Sequence, residues 1–348
     1  MRVPVAVLGA TGLVGQRLVR RLANHPWFEL VAVTGSERSV GRLYGDVVRW
    51  RLPGDPPPEA ARLIVQPSEP GFEARLVFSA LPSRVAGEVE AAFAAAGYVI
   101  SSNARNHRMD EDVPLVLPEV NPDHLQLIEV QRRRREWSGA IVTNANCVAI
   151  PLSLALKPLD DAFGVEKVFV VTMQAISGAG YPGVAALDIV DNVIPFISGE
   201  EPKVESEPLK LLGRLEGERV RPAPIRISAQ TNRVASRDGH MLCVSVALRR
   251  RATPEQAAEV LRAFRGRPQE LKLPSAGERP IVVRPEEDRP QPVRDRDAGG
   301  GMAITVGRVR ACPLFDLKFV VLGHNTERGA AGAALLNGEL LVAEGYVP

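Results

Sequence analysis

The first fifteen residues constrain this chain more than any others. Residues 3–8 form a short, valine-rich apolar run, Gly9-Ala10-Thr11-Gly12-Leu13-Val14-Gly15 follows at once, and Leu18, Leu22 and their neighbours then recur with helical period. That order reads strand, glycine turn, helix. Glycines in such a turn let backbone approach a ligand phosphate, and the helix aims unpaired N–H groups and the positive end of its dipole at the anion. A second β run at residues 28–34 comes at the spacing of a βαβ crossover, which dictates parallel strands covered by helices. Apolar runs at 75–79 and 98–101 flank the alanine-rich segment 84–96 and repeat the unit. A glycine turn of this kind also occurs without a ligand, but its place ahead of βαβ spacing points to a dinucleotide.

At about 150 residues per domain, 348 residues suggest two domains. The texture changes after Cys147 to longer strand-like segments at 167–175, 225–230, 241–248, 302–309 and 314–322, with one clear helix among the later ones at 254–264. The expected class is α/β: a Rossmann-type doubly wound domain at residues 1–146, joined to an α+β catalytic domain at 147–325 with a mainly antiparallel sheet. The alanine-rich stretch 326–348 is expected to return as a helix and complete the first domain.

Composition removes several function classes. Lys+Arg 43 against Asp+Glu 41 gives a net charge of +2, which argues against a nucleic-acid partner. No apolar stretch reaches the roughly 18 residues of a spanning helix, and the N-terminus lacks a cleavable signal pattern, so no membrane partner and a cytoplasmic location are expected. Cys147, Cys243 and Cys312 are too few and too separated for a disulfide framework, and the histidines lack zinc-ligand spacing, so no metal is expected.

Three places could carry chemistry. Ser36, Arg38 and Ser39, just after the second strand, suit the 2′-phosphate of NADP, while Glu37 could receive a free ribose hydroxyl instead. Cys147 lies between the β run 140–143 and a helical run starting near Pro151, and a helix N-terminus stabilises a thiolate. A lone cysteine is as readily a small core residue, and Cys243 and Cys312, inside apolar strand patterns, are read as core. His240 stands where a loop enters a strand. There it could be a solvated loop residue or the base that a nucleophilic thiol needs near neutral pH.

The segments that carry a resemblance are GATGLVG from Gly9, SERSVG from Ser36, FSALPS from Phe78, NHRM from Asn106, DVPLVLPEVN ending at Asn121 and TNANC ending at Cys147. QAISGAGYPG from Gln174, EEPKVESEPLK from Glu200, NRVASRDGH ending at His240 and GHNTERGAAGAA from Gly323 complete the series. By their order and spacing the whole chain resembles the aspartate-semialdehyde dehydrogenases, in the branch found in archaea, fungi and some bacteria. The resemblance implies reversible reductive dephosphorylation of L-aspartyl 4-phosphate to L-aspartate 4-semialdehyde with NADP, on the way to lysine, methionine and threonine. It implies Cys147 as the nucleophile that becomes a thioester, and His240 as general acid and base. Asn146 would stand beside the thiol, Gln174 would orient the acyl group, and Arg233 would pair with the substrate α-carboxylate. Glu207 would take the ammonium, and Arg108 and Lys210 the phosphate.

For the cofactor, the resemblance places Gly9, Thr11, Gly12, Leu13 and Val14 at the phosphates and Ser79, Ala80 and Leu81 under the adenosine. Ser177, Gly178 and Asn325 would lie near the nicotinamide. A homodimer or homotetramer is implied. Many relatives carry proline and a hydroxyl pair around the nucleophile, where this chain has Ala145, Val148 and Ala149. A related branch reduces malonyl-CoA with the same constellation, and a non-catalytic NADP-binding sensor is the alternative from another class.

Overall fold

A computed structural model describes residues 2–347. The first sheet is built from β1 (Val3–Leu8), β2 (Phe28–Thr34), β3 (Val65–Gln66), β4 (Leu76–Ser79), β5 (Val99–Ser102) and β6 (Ala140–Thr143), all parallel, in the order β3-β2-β1-β4-β5-β6. The chain leaves β1 toward β2 on one side and later places β4 on the other. That reversal of strand order makes the crevice above β1 and β4 the natural ligand position of such a sheet. Every residue of β4, β5 and β6 is buried, as strands covered on both faces require.

Helix α1 (Leu13–Leu22) starts at the glycine turn, buries Leu18, Val19 and Leu22, and ends on Arg20 and Arg21 beside its carbonyl end. Helix α2 (Ser83–Ala95) is the alanine-rich segment, and α3 (Leu127–Arg135) carries the basic end expected of it. Helix α4 (Ala149–Phe163) follows Cys147 and stops at Gly164, whose φ of +72° continues no helix.

The second sheet contains β7 (Val165–Gln174), β10 (Arg226–Arg233), β11 (His240–Leu248), β12 (Ile281–Arg284), β13 (Ile304–Ala311) and β14 (Leu317–Gly323), in the order β10-β7-β11-β14-β13-β12. Strands β8 (Arg214–Glu216) and β9 (Arg219–Arg221) form a separate hairpin. The sheet is mixed: the three central pairings are antiparallel, and the two outer pairings, β10 on β7 and β12 on β13, are parallel. Parallel neighbours need long crossovers. The excursion from β7 to β10 supplies one and carries helix α5 (Glu201–Leu211). Helix α6 (Pro254–Ala263) starts at a capping box between Thr253 and Gln256.

The last helix, α7 (Gly332–Ala343), is apolar nearly all round, and Leu335, Leu336, Leu340 and Leu341 lie in the core of the first sheet. A Cβ on Gly338 would sit 2.7 Å from the Phe78 ring, so helix and strand β4 meet almost backbone to side chain. Just ahead of α7, Glu327 accepts from Arg17 at 2.5 Å, from Arg20 at 3.2 Å and from Arg21, all on α1. The second core lies between α4 and one face of the mixed sheet. The reading of Cys243 as core is corrected here. In β11 the side chains of Leu242, Val244 and Val246 turn into that core, so the alternation places Cys243 on the opposite, exposed face. Cys312, just past β13, is half-buried rather than core. No helix among the described residues is long and apolar enough to cross a membrane.

Candidate active site

One end of the mixed sheet gathers three of the expected side chains. The parallel register puts Arg233 beside Gln174 at the ends of β10 and β7, and β11, running the other way, begins at His240 on the same end. Cys147 arrives from the first sheet, four residues after β6 and two before α4. The Asn146 carboxamide oxygen accepts from the Val148 and Ala149 N–H groups at 2.8 and 3.2 Å and so caps the helix that Cys147 precedes. Ala145, Val148 and Ala149 are buried apolar residues, and the Asn146 side chain takes up the first N–H groups of the helix. A Cβ on Gly329 would come within 2.7 Å of the Cys147 Cβ, so only glycine lets the C-terminal segment close behind the thiol.

Burial and neighbouring charges favour the neutral forms of Cys147 and His240. Burial, and then the Glu200 carboxylate, push the Cys147 thiol up to about 12, while Arg108, Arg233 and Lys203 pull the other way. His240 is fully buried, and its Nδ1 accepts from the Ala175 N–H at 3.0 Å. A neutral ring whose Nδ1 is an acceptor carries its proton on Nε2. That nitrogen is buried with no partner. Burial, aided by Arg233 and His324 and opposed by Asp238, lowers His240 to about 3. Arg233 donates from Nη1 to the Ala175 carbonyl at 2.9 Å and, among the described residues, has no carboxylate within 4.0 Å.

Helix α5 lies across from this edge. Glu200, at its start, accepts from the Asn146 side chain at 2.9 Å and from Lys203 at 3.0 Å. Two turns on, Glu207 accepts from Arg108 Nη1 at 3.0 Å and from the Asn146 backbone N–H at 2.5 Å. The Lys210 ammonium donates to the carbonyls of Arg108, Asp110 and Val113 at 2.9, 2.7 and 2.8 Å. Its three protons are thereby used.

The glycine turn fits a dinucleotide. Gly9 has φ +71° and would place a Cβ 2.9 Å from the Ala80 carbonyl oxygen, and a Cβ on Gly15 would fall 2.3 Å from the Gly9 oxygen. The N-terminus of α1 has no side-chain cap, so its N–H groups remain available to an anion. A cavity of about 330 Å³ lies between this turn and the loop after β7, lined by Leu13, Arg17, Arg51, Ser177, Tyr181 and Arg237. Ser36 and Arg38 are exposed beyond β2, with Ser39 half-buried.

Comparisons with known proteins agree with this arrangement. The family model described as the semialdehyde dehydrogenase NAD-binding domain matches residues 4–128, and that of the semialdehyde dehydrogenase dimerisation domain matches 156–328. Aspartate-semialdehyde dehydrogenase of Archaeoglobus fulgidus is 54% identical over 99% of both chains. A crystal structure of aspartate-semialdehyde dehydrogenase with NADP from Candida albicans superposes with a TM-score of 0.92 at 39% identity, covering 100% of both chains. The chain belongs to the aspartate-semialdehyde dehydrogenase family. A malonyl-CoA reductase (NADP) of Metallosphaera sedula is 42% identical over 98% of this chain and 97% of its own.

Within this dehydrogenase framework, Arg233 stands beside Gln174 and its charge acts on both Cys147 and His240, Asn146 adjoins the thiol, and the charge of Arg108, from the first domain, acts on the same sulfur. The pair Glu207 and Lys210 needs correction. Lys210 keeps no N–H for a phosphate, and Glu207, bound to Arg108 and to the Asn146 backbone N–H, is not among the charges that act on the Cys147 sulfur, whereas Glu200 is. The residues whose charges reach the Cys147 sulfur from α5 are Glu200 and Lys203, which sequence reasoning passed over. The signal was present but doubled: the helix carries two Glu-x-x-Lys pairs seven residues apart, hence on one face. Asn325 and Ser177 join through a 2.8 Å hydrogen bond, and the Asn325 oxygen accepts from the Gly239 N–H at 2.9 Å. Ser79, Ala80 and Leu81 lie at the end of β4 beside the glycine turn.

Proposed function

We propose that this chain catalyses NADP-dependent, reversible reductive dephosphorylation of L-aspartyl 4-phosphate to L-aspartate 4-semialdehyde. The observation that carries the reading is Arg233. A buried guanidinium whose charge acts on the thiol, with one carbonyl partner and, among the described residues, no carboxylate within 4.0 Å, is a waiting receptor for an anionic substrate. Glu200, also beside the thiol, suits an ammonium, so together they match the two charges of an amino acid. Malonyl-CoA offers the carboxylate but no ammonium, which favours the aspartyl substrate.

In the reductive direction the Cys147 sulfur attacks the acyl carbon, the bond to the phosphate oxygen breaks, and phosphate leaves with the electron pair and takes up the proton that the thiol gives away. Arg108 and Lys203 are the cations placed to receive it. Asn146 fixes the thiol at the helix start, and Gln174 orients the acyl oxygen. Gly9, Thr11, Gly12, Leu13 and Val14 would hold the phosphates of NADPH and Ser36, Arg38 and Ser39 its 2′-phosphate, and the cofactor would supply the hydride that reduces the thioester. Ser79, Ala80 and Leu81 underlie the adenosine, and Ser177, Gly178 and Asn325 border the nicotinamide. The Nε2–H of His240 donates a hydrogen bond to the oxygen that gains charge; as the C–S bond breaks it passes its proton to the departing sulfur, and a proton from solvent restores Nε2. The domain reading that goes with this is cofactor binding by residues 1–146 with 326–348, and catalysis by 147–325.

A second copy of the chain is the partner we infer. The sheet face opposite α4 presents Phe169, Val171, Met173, Met241 and Val320 half-buried, and Leu187 and Phe196 are exposed nearby in sequence. The deciding experiment is an assay of semialdehyde plus phosphate, and of malonyl-CoA, with NADP(H) and NAD(H) in parallel. Robust semialdehyde turnover with NADP, lost in Cys147→Ala while NADPH still binds, is the expected result. Comparable turnover with malonyl-CoA overturns the substrate, and an active Cys147→Ala overturns the nucleophile.

A further inference from the structure

We infer that Glu207 is a positioning residue that sets the nucleophile and the phosphate-facing arginine in one register. The inference rests on the reading of Cys147 and Arg108 above. A carboxylate with one oxygen on each of two donors fixes the distance between them, because both bonds are charge-assisted or short and neither donor has a competing acceptor at that atom. Here the donors are the Asn146 backbone N–H, the peptide next to Cys147, and Arg108 Nη1, from the first domain. Glu207 is 2% exposed, so water does not substitute for either bond.

The rest of the neighbourhood holds the same geometry from behind. Arg108 Nη2 donates to the Asn103 carbonyl at 2.9 Å, a second bond that fixes the plane of its guanidinium. Lys210, one turn after Glu207 on α5, holds three carbonyls of the loop 108–113. Arg135 on α3 grips the other side of that loop through Asp112 at 2.5 Å and Asp110 at 2.9 Å. Two consecutive turns of α5 therefore anchor the arginine loop of one domain and the thiol peptide entering the other. A rigid brace of this kind is what an acyl-phosphate transfer needs, since the sulfur and the departing phosphate must keep a fixed separation.

The test is Glu207→Gln, with Glu207→Asp as the companion. Glutamine keeps one acceptor but turns an N–H₂ group at the second donor, and aspartate keeps the charge but is one methylene too short to span both. Cys147 alkylation by iodoacetamide is measured in substrate-free enzyme, followed by steady-state kinetics normalised to titrated thiol. The expected result for each folded variant is a change of at least about threefold in alkylation rate, a tenfold or greater rise in phosphate KM, and a semialdehyde KM within about threefold of wild type. A loss of folded enzyme alone leaves the normalised constants unmoved and overturns the positioning role. Unchanged alkylation with a raised semialdehyde KM overturns it too, and makes Glu207 a substrate ligand. Because alkylation needs no substrate, its result stands even if the acyl donor proves to be a coenzyme A thioester.

Discussion

Gly178→Ala tests the site geometry with a single methyl group. A Cβ at this position would lie 2.9 Å from Arg233 Nη1, 3.0 Å from His240 Cε1 and 3.1 Å from His240 Nε2. Those distances fall roughly 0.3 to 0.5 Å inside ordinary van der Waals contact. Neither neighbour can simply swing away, because Arg233 Nη1 is held by the Ala175 carbonyl at 2.9 Å and His240 Nδ1 by the Ala175 N–H at 3.0 Å. The loop carrying Gly178 is pinned as well, by bonds from the Ile176 and Ser177 N–H groups to Ser236 and Arg237 and by Asn325 on Ser177. Giving up one such bond costs stability about 1 to 3 kcal/mol. Displacing carboxylate receptor and proton donor by a fraction of an ångström costs catalysis more, about a hundredfold in kcat/KM or roughly 2.7 kcal/mol. The assay is semialdehyde oxidation followed at the NADPH absorbance, with NADPH affinity by fluorescence. Gly277→Ala, whose new Cβ would meet only a carbonyl oxygen at 3.9 Å, is the control. If the side chains yield, semialdehyde KM rises with cofactor affinity intact; if the loop lifts, NADPH binding weakens too. A kcat/KM within about threefold of wild type would refute the packing argument.

Two further predictions concern charge. Arg233→Lys keeps the positive charge but loses the planar fork, so semialdehyde KM should rise about 10- to 100-fold while NADPH affinity holds; an unchanged KM contradicts carboxylate pairing. His124, His240 and His324 are all held below the ordinary histidine range chiefly by burial, so the folded chain binds fewer protons than the unfolded chain as pH falls through 6.5. Their contribution to stability is therefore whole above that pH and lost below it, by up to about 1.4 kcal/mol per pH unit for each. Urea midpoints measured from pH 7.5 to 5 should fall, less steeply in His240→Asn, and a flat profile disproves neutral burial.

The first sheet was legible because its signals are local. Each apolar run and the alanine-rich helix falls within a residue or two of its element, and the glycine turn announces both its neighbours. Its two-residue edge strand β3 was not, and neither was the parallel pairing of β10 and β12 at the edges of the second sheet, since β12 is only four residues long and pairing direction depends on crossovers far away in sequence. Cys243 illustrates another limit: an apolar strand pattern does not say which face is covered. For the site, residue types and their places next to element ends pointed to Cys147 and His240, while Arg233 came from the resemblance alone. On α5 the two equally spaced Glu-x-x-Lys pairs were degenerate until backbone partners separated a substrate-facing pair from a bracing one.

The closing helix α7 has a consequence for how the protein is made. Its leucines fill the core beneath strands that leave the ribosome more than two hundred residues earlier, and Glu327 gathers the arginines of the very first helix. During synthesis the nucleotide half must wait with an apolar flank unfilled while the central sheet is still being translated. A nascent chain cut short between the second sheet and Gly332 holds the whole glycine turn yet lacks the wall behind it.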